Sequence, residues 1–102
     1  MRRLIRQPAL PSMVFDARKG ETFVIALRTN VNSLRVINAI AGTLYIFVVK
    51  QNNIGGKTLA WGSSIRNATG VDPRPLAVTV QSFIADTGGI LKANLPGTWS
   101  AL

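Results

Sequence analysis

Histidine and cysteine are both missing from this chain, and acids number only four against twelve Lys and Arg. Without cysteine there is no disulfide, no thiolate nucleophile and no cysteine-ligated zinc. Without histidine the commonest general base near neutral pH is gone. Asp16, Glu21, Asp72 and Asp86 stand one to a segment, so the acids offer no cluster for acid–base chemistry or for a metal. Turn and capping roles suit such isolated acids better. The inventory describes a protein that is not an enzyme and that holds no cofactor and no metal.

Long hydrophobic runs are also lacking. The longest, residues 34–49, contains Arg35, Asn38, Gly42 and Thr43 and falls short of the ~18–20 apolar residues of a membrane span. No membrane partner is expected. At the start, Arg6, Pro8 and Pro11 interrupt the basic stretch before an apolar core forms, so no secretory signal is expected either. Helical periodicity is absent: no ten residues carry an apolar i, i+3, i+4 pattern free of β-branched runs or glycine.

Short strand-like segments fill the chain instead. Residues 22–28 place Phe23, Ile25 and Leu27 on one face and end at the turn-prone Asn30 to Ser33. Residues 34–40 follow. Residues 43–50 are β-branched and aromatic on both faces and are expected to form a central strand buried on both sides. Gln51 to Gly56 is a turn by composition, and residues 57–61 are expected to return as the second strand of a hairpin. Asp72-Pro73-Arg74-Pro75 marks a loop, since two prolines exclude a paired central strand. Residues 76–84 alternate cleanly, with Leu76, Val78 and Val80 on one face and Ala77, Thr79 and Gln81 on the other. Two short strands, 90–93 and 98–101, close the chain. Seven or eight short strands with turn signals between them predict an all-β fold, an antiparallel β-sandwich or jelly-roll-like barrel. No repeat of 20–50 residues is visible.

The charge is uneven. Residues 1–20 carry Arg2, Arg3, Arg6, Arg18 and Lys19 against Asp16 alone, with Pro8 and Pro11 breaking regular structure. They are expected to be an extended basic arm, with the β-domain at 21–102. A net charge of +8 suits an acidic partner, either nucleic acid or an anionic protein surface. The aromatics Phe15, Phe23, Tyr45, Phe47, Trp61, Phe83 and Trp99 sit mostly at alternating strand positions, which fits a core better than base-stacking platforms, so nucleic acid is the weaker partner. Gly55-Gly56-Lys57-Thr58 ends like a phosphate-binding loop, but Gln51 stands where its first glycine is needed and a strand follows. Hydrophobic residues make up 47% of the chain, more than one small core hides, so copies of the chain are expected to cover one another.

Several of these segments together resemble a β-module of bacteriophage virion proteins. They are Gly42-Thr43-Leu44-Tyr45-Ile46-Phe47-Val48-Val49-Lys50-Gln51, then Gly55-Gly56-Lys57-Thr58-Leu59-Ala60-Trp61, the strand from Leu76 to Phe83, and Gly97-Thr98-Trp99. The resemblance covers roughly residues 40–102. The module usually has Asp in the hairpin turn and Pro after the first Trp, where this chain has Asn52-Asn53 and Gly62. It occurs in tail fibres, spikes, head fibres and capsid-surface proteins, so the resemblance implies a place on the virion, on the capsid exterior or the tail. A chain this short fits a capsid decoration or cement protein best, one that binds the major capsid protein or another virion protein as a homo-oligomer, a trimer by the same resemblance. A tail-fibre, spike or baseplate component is the second expectation, and a basic nucleic-acid-associated protein the third. On this reading Arg2, Arg3, Arg6, Arg18 and Lys19 of the arm grip an acidic shell surface.

Overall fold

A computed structural model describes residues 4–66, 68–93 and the backbone of 98–100. Those residues form nine strands: β1 Leu4–Pro8, β2 Ser12–Asp16, β3 Thr22–Leu27, β4 Ser33–Ile37, β5 Leu44–Gln51, β6 Ile65–Arg66, β7 Val78–Ala85, β8 Leu91–Ala93 and β9 Thr98–Ser100. The all-β expectation is met, but the fold is not a plain antiparallel sandwich or jelly roll. The main sheet runs β1-β3-β5-β7-β8-β6 with β9 also on β7, and β2 pairs with β4 in a second, two-stranded sheet. The β1–β3, β3–β5, β2–β4 and β6–β8 pairs are parallel; only the pairs made by β7 are antiparallel.

The chain therefore coils. It passes from β1 to β2, back to β3, across to β4 and back to β5, adding each time a parallel strand to the same sheet. A third pass lies beside β4 without forming a regular strand. Leu59 bridges Val31 in parallel, Val31 N–H donates to the Thr58 carbonyl and Ala60 N–H to the Val31 carbonyl, both at 2.9 Å. Further along, the Val36 N–H donates to Ser64 Oγ at 3.3 Å. Residues 57–61 thus belong to the second layer and do not return along β5 as a hairpin. Both flanks of β5 are already occupied, by β3 and β7, so a returning strand has no edge to join. Gly62 makes the close approach possible: at φ +78 its missing Cβ would strike the Leu34 carbonyl.

Residues 4–20 are equally a correction. They are extended, as expected, but not a free arm. Ala9 N–H donates to the Ala26 carbonyl at 2.8 Å and Ala17 N–H to the Ile37 carbonyl at 2.9 Å, so both ends of this segment are tied into a sheet. Ala9, Met13, Phe15 and Ala17 are buried. Alternation decides this: Met13, Phe15 and Ala17 fall on one face, and that face finds the core.

The core lies between the two layers. In-register parallel strands stack like on like, with Phe23 opposite Phe47 and Ile25 opposite Val49. Phe15 from the second sheet meets Phe23 at 5.0 Å and Phe47 at 5.7 Å between ring centroids, while Trp61 of the third pass meets Phe47 at 5.5 Å and Phe83 at 5.4 Å. Such offset and edge-on contacts add to the burial of the rings. Six of the seven aromatics serve this core; the side chain of Trp99 lies outside the described residues.

Candidate functional site

The outer face of the main sheet is where local pattern and environment disagree. β7 is built inside out. Its inward side chains include Thr79 and Gln81, both buried, whereas Val80 is 37% and Ile84 39% exposed on the outside. The inward polar groups are satisfied and structural. Thr79 Oγ1 accepts from the Asp72 N–H at 2.9 Å and Gln81 Oε1 from the Thr69 N–H at 2.9 Å. Gln51 on β5 donates through Nε2 to the carbonyls of Lys57 and Asp72, at 2.7 and 3.0 Å. These amide and hydroxyl contacts anchor the backbone of Lys57, Thr69 and Asp72 over the sheet, which explains buried polar side chains there. They do not explain the apolar residues outside.

Outward rows run across four strands. Leu4, Thr22, Ile46 and Ser82 stand in one row; Arg6, Val24, Val48 and Val80 in the next; Pro8, Ala26, Lys50 and Val78 in a third. Leu44 opposite Ile84 extends the face at its other end. Val24, Leu44, Ile46, Val48 and Val78 are half-buried, and Leu4 is exposed. A parallel sheet is normally covered on both faces. Here no element of the described residues covers the outer one, so β5, expected to be buried on both sides, is enclosed on its inner side only.

The cations of the face stand at its margins. Arg6 lies on the edge strand β1 and Lys50 at the end of β5, both beside a shallow groove of about 330 Å³ with Gln7, Pro8, Val24 and Ala26. Lys92, on β8, bridges Asp86 at 3.5 Å. Leu76, immediately before β7, is 47% exposed and held at φ 59, a left-handed backbone that β-carbon sterics disfavour.

Of the cations expected to grip a partner, those described stand on separate elements, β1 and the turn after β2. Arg2 and Arg3 lie outside the described residues. Arg6 faces outward from β1. Arg18 and Lys19 occupy the turn after β2, where Arg18 bridges Asp16 at 2.9 Å and the Lys19 N–H donates to the Asp16 carbonyl at 3.0 Å. That bridge holds the Asp16 carboxyl well below the usual carboxylate range. Arg74 does the same for Asp72, chiefly through its side-chain hydrogen bonds, and Asp86 is lowered by the Ile90 and Gly88 N–H groups and by Lys92. Three of the four acids are thus tied up locally. Among the described residues no group of three or more His, Cys, Asp or Glu could hold a metal ion.

In the sequence β5 was legible as a strand apolar on both faces; which of those faces is the inner one was not. Comparison of the chain with protein-family models, with curated proteins and with solved structures finds no match.

Proposed function

We propose that this chain is a structural protein of a bacteriophage virion, of the capsid-decoration or cement type, acting by assembly as a homo-oligomer, a trimer, and not by catalysis. The observation that carries the assembly reading is the apolar outer face of the main sheet, with β7 turned so that its valines face outward. Protein surfaces of this kind mark contacts with other proteins. The virion reading rests on the motifs of residues 42–61 and 76–99 described above, and the partner it implies is the major capsid protein or a neighbouring virion protein. Arg6 and Lys19 are exposed and supply positive charge toward an acidic shell, as Arg2 and Arg3 do on the same reading.

One observation favours the second reading, a fibre, spike or baseplate component. The strands accumulate coil by coil, and the coil made by β1 and β2 has sheet edges with no neighbour among the described residues; a longer fibre could continue there. Imaging of virions with and without the protein tests both. Density on the capsid exterior that disappears with the protein supports decoration, density on the tail supports the fibre reading, and particles that never contain the protein overturn the virion assignment.

A further inference from the structure

We infer that the outer face of the main sheet docks an acidic protein surface, whose apolar centre lies on the β5–β7 strip and whose carboxylates meet cations at two opposite corners of the face. The inference rests on the assembly reading above and names the surface and the chemistry of the partner.

The main sheet sorts its charges by sign and by face. None of its strands contains an acid, and its charged residues are Arg6, Lys50, Arg66 and Lys92, all cations. All are exposed and all point outward. Arg6 shares a row with Val24, Val48 and Val80; Lys50 stands opposite Val78, Lys92 opposite Ile84, and Arg66 opposite Lys92. A face that meets only water usually mixes both signs.

The cations stand in pairs at the ends of an apolar strip. Arg6 and Lys50 flank the groove near the ends of β1 and β5, while Arg66 and Lys92 continue the row of Leu44 and Ile84 at the far end of the sheet. With a rise of about 3.3 Å per residue and strands about 4.8 Å apart, Lys50 and Lys92 are roughly 20 Å from each other. Between them lie Ile46, Val48, Val80 and Ile84, with Ser82 as the polar exception. An apolar centre and a charged rim are the anatomy of a protein–protein interface.

Charge complementarity selects the occupant. Among the described residues Arg6, Lys50 and Arg66 have no carboxylate partner, and Lys92 has only Asp86, at 3.5 Å. A rim of one sign accepts carboxylates and rejects other cations. Nucleic acid asks for a continuous basic track with stacking rings; here the strip divides the cations, and the described aromatic side chains pack in the core. A bilayer interface takes apolar groups about 5–10 Å deep, whereas Val24, Val48 and Val78 lie half-buried among their neighbours and do not project. A pleated, β-branched surface fits the flat face of another protein.

The experiment follows the amide NMR spectrum of the full chain as it is titrated with a synthetic peptide of alternating threonine and valine that has a glutamate pair at each end, and with a twin that has lysine pairs instead. Shifts on β3, β5 and β7 are expected with the acidic peptide alone, and its affinity should fall as salt rises. Lys50→Glu and Arg66→Glu, one at each corner, should each weaken it about tenfold, and Val48→Thr, which keeps the branched shape, about threefold. Arg35→Glu makes the same charge change on β4 of the second sheet, where Arg35 is exposed; it should stay within about twofold of the natural chain. The inference is overturned if the acidic peptide moves no amide of this face, if the lysine-ended twin binds as well, or if the face variants behave like Arg35→Glu. Dilution of the chain alone that moves the same amides would give the face to a second copy, and tighter binding there of phosphatidylserine vesicles or duplex DNA would give it to a membrane or to nucleic acid; each of these overturns it too. Virions grown without the protein separate this inference from the virion reading. If they take up the natural chain and both glutamate variants equally, the virion function stands and this surface falls; if they ignore a chain that holds the acidic peptide on this face, the reverse is true.

Discussion

The first coil and the β5–β7 pair bury similar inner faces but are held in different ways. β5 has neighbours on both edges and β7 carries β5 on one side with β8 and β9 on the other. β1 and β2 each have one neighbour, β3 or β4. The first coil presents an open backbone edge to solvent, and Pro8 removes one outward donor from it, a familiar protection of edge strands. The β5–β7 pair presents an open apolar face. The first coil has unused hydrogen-bonding capacity with exposed apolar residues scattered along it, Leu4, Leu10 and Val14; the β5–β7 pair has its backbone paired and its apolar residues side by side on one face. A partner in search of backbone pairing meets the first; a partner in search of a continuous apolar surface meets the second.

The largest effects should come from the shared core. Phe47 is fully buried and touches the rings of Phe15, Phe23, Trp61 and Phe83, so Phe47→Ala should cost about 3–5 kcal/mol of unfolding free energy, read from denaturant titration. Phe15→Ala tests whether the first coil is part of the domain. A true arm would lose nothing; a packed strand loses about 3 kcal/mol or more. Amides of β1 should nevertheless exchange faster than those of β5, because an edge strand opens at lower cost than a central one.

Next in size is the close approach of the third pass to β4. Gly62→Ala pushes a methyl into the Leu34 carbonyl and also strains a backbone at φ +78; about 2 kcal/mol or more should be lost. Gly56→Ala is the matched control. Its φ is +74 but the space around it is open, so only the backbone term remains, about 1 kcal/mol. Equal losses at the two sites would mean that contact with β4 contributes nothing.

With β5 marked by its two-faced apolar run and β4, β8 and β9 by the turn signals around them, period-two alternation made β3 and β7 legible in the sequence, ends off by up to three residues. It was also present in Met13, Phe15 and Ala17, but five cations and two prolines around it argued for an arm, and composition outweighed pattern. The error on residues 57–61 has another cause. A Gly-Gly turn says that the chain reverses, not which edge receives it, and β5 had no edge to give. The parallel order was hidden for a related reason, since a crossover made of strands carries no helical signature. As for the candidate site, β5 announced two apolar faces, yet which face of β7 points inward depended on Thr79 and Gln81 finding backbone partners in a loop far along the chain.

Acid should loosen the loop contacts of β7 before the core. Asp16, Asp72 and Asp86 all have carboxyls lowered by folding, so each adds stability above the ordinary carboxylate pKa of about 4 and loses it as pH falls through the lowered value. Melting temperature should be nearly flat from neutral pH down to about 4 and fall below that. Asp72→Asn removes the charge that holds Arg74 and should flatten the acid limb of that curve; an unchanged limb would assign the acid sensitivity to Asp16 and Asp86.

The smallest effect on folding is expected at Leu76, and there two readouts should move in opposite directions. The residue sits at φ 59, its N–H donating to the Asn52 carbonyl at 2.9 Å, with nearly half of its side chain open to solvent. Asparagine tolerates the left-handed region better than leucine does. Leu76→Asn should therefore stabilise the isolated chain, by about 0.5–1 kcal/mol, measured by denaturant titration. A leucine kept in strained, exposed backbone makes sense if its side chain has a contact that the isolated monomer lacks. The same substitution should then weaken binding of the acidic peptide, while Gly56→Ala, strained in the same sense but in open space, should leave binding as it was. If Leu76→Asn raises stability and binding is untouched, the leucine lies outside the contact and the interface ends within the β5–β7 strip.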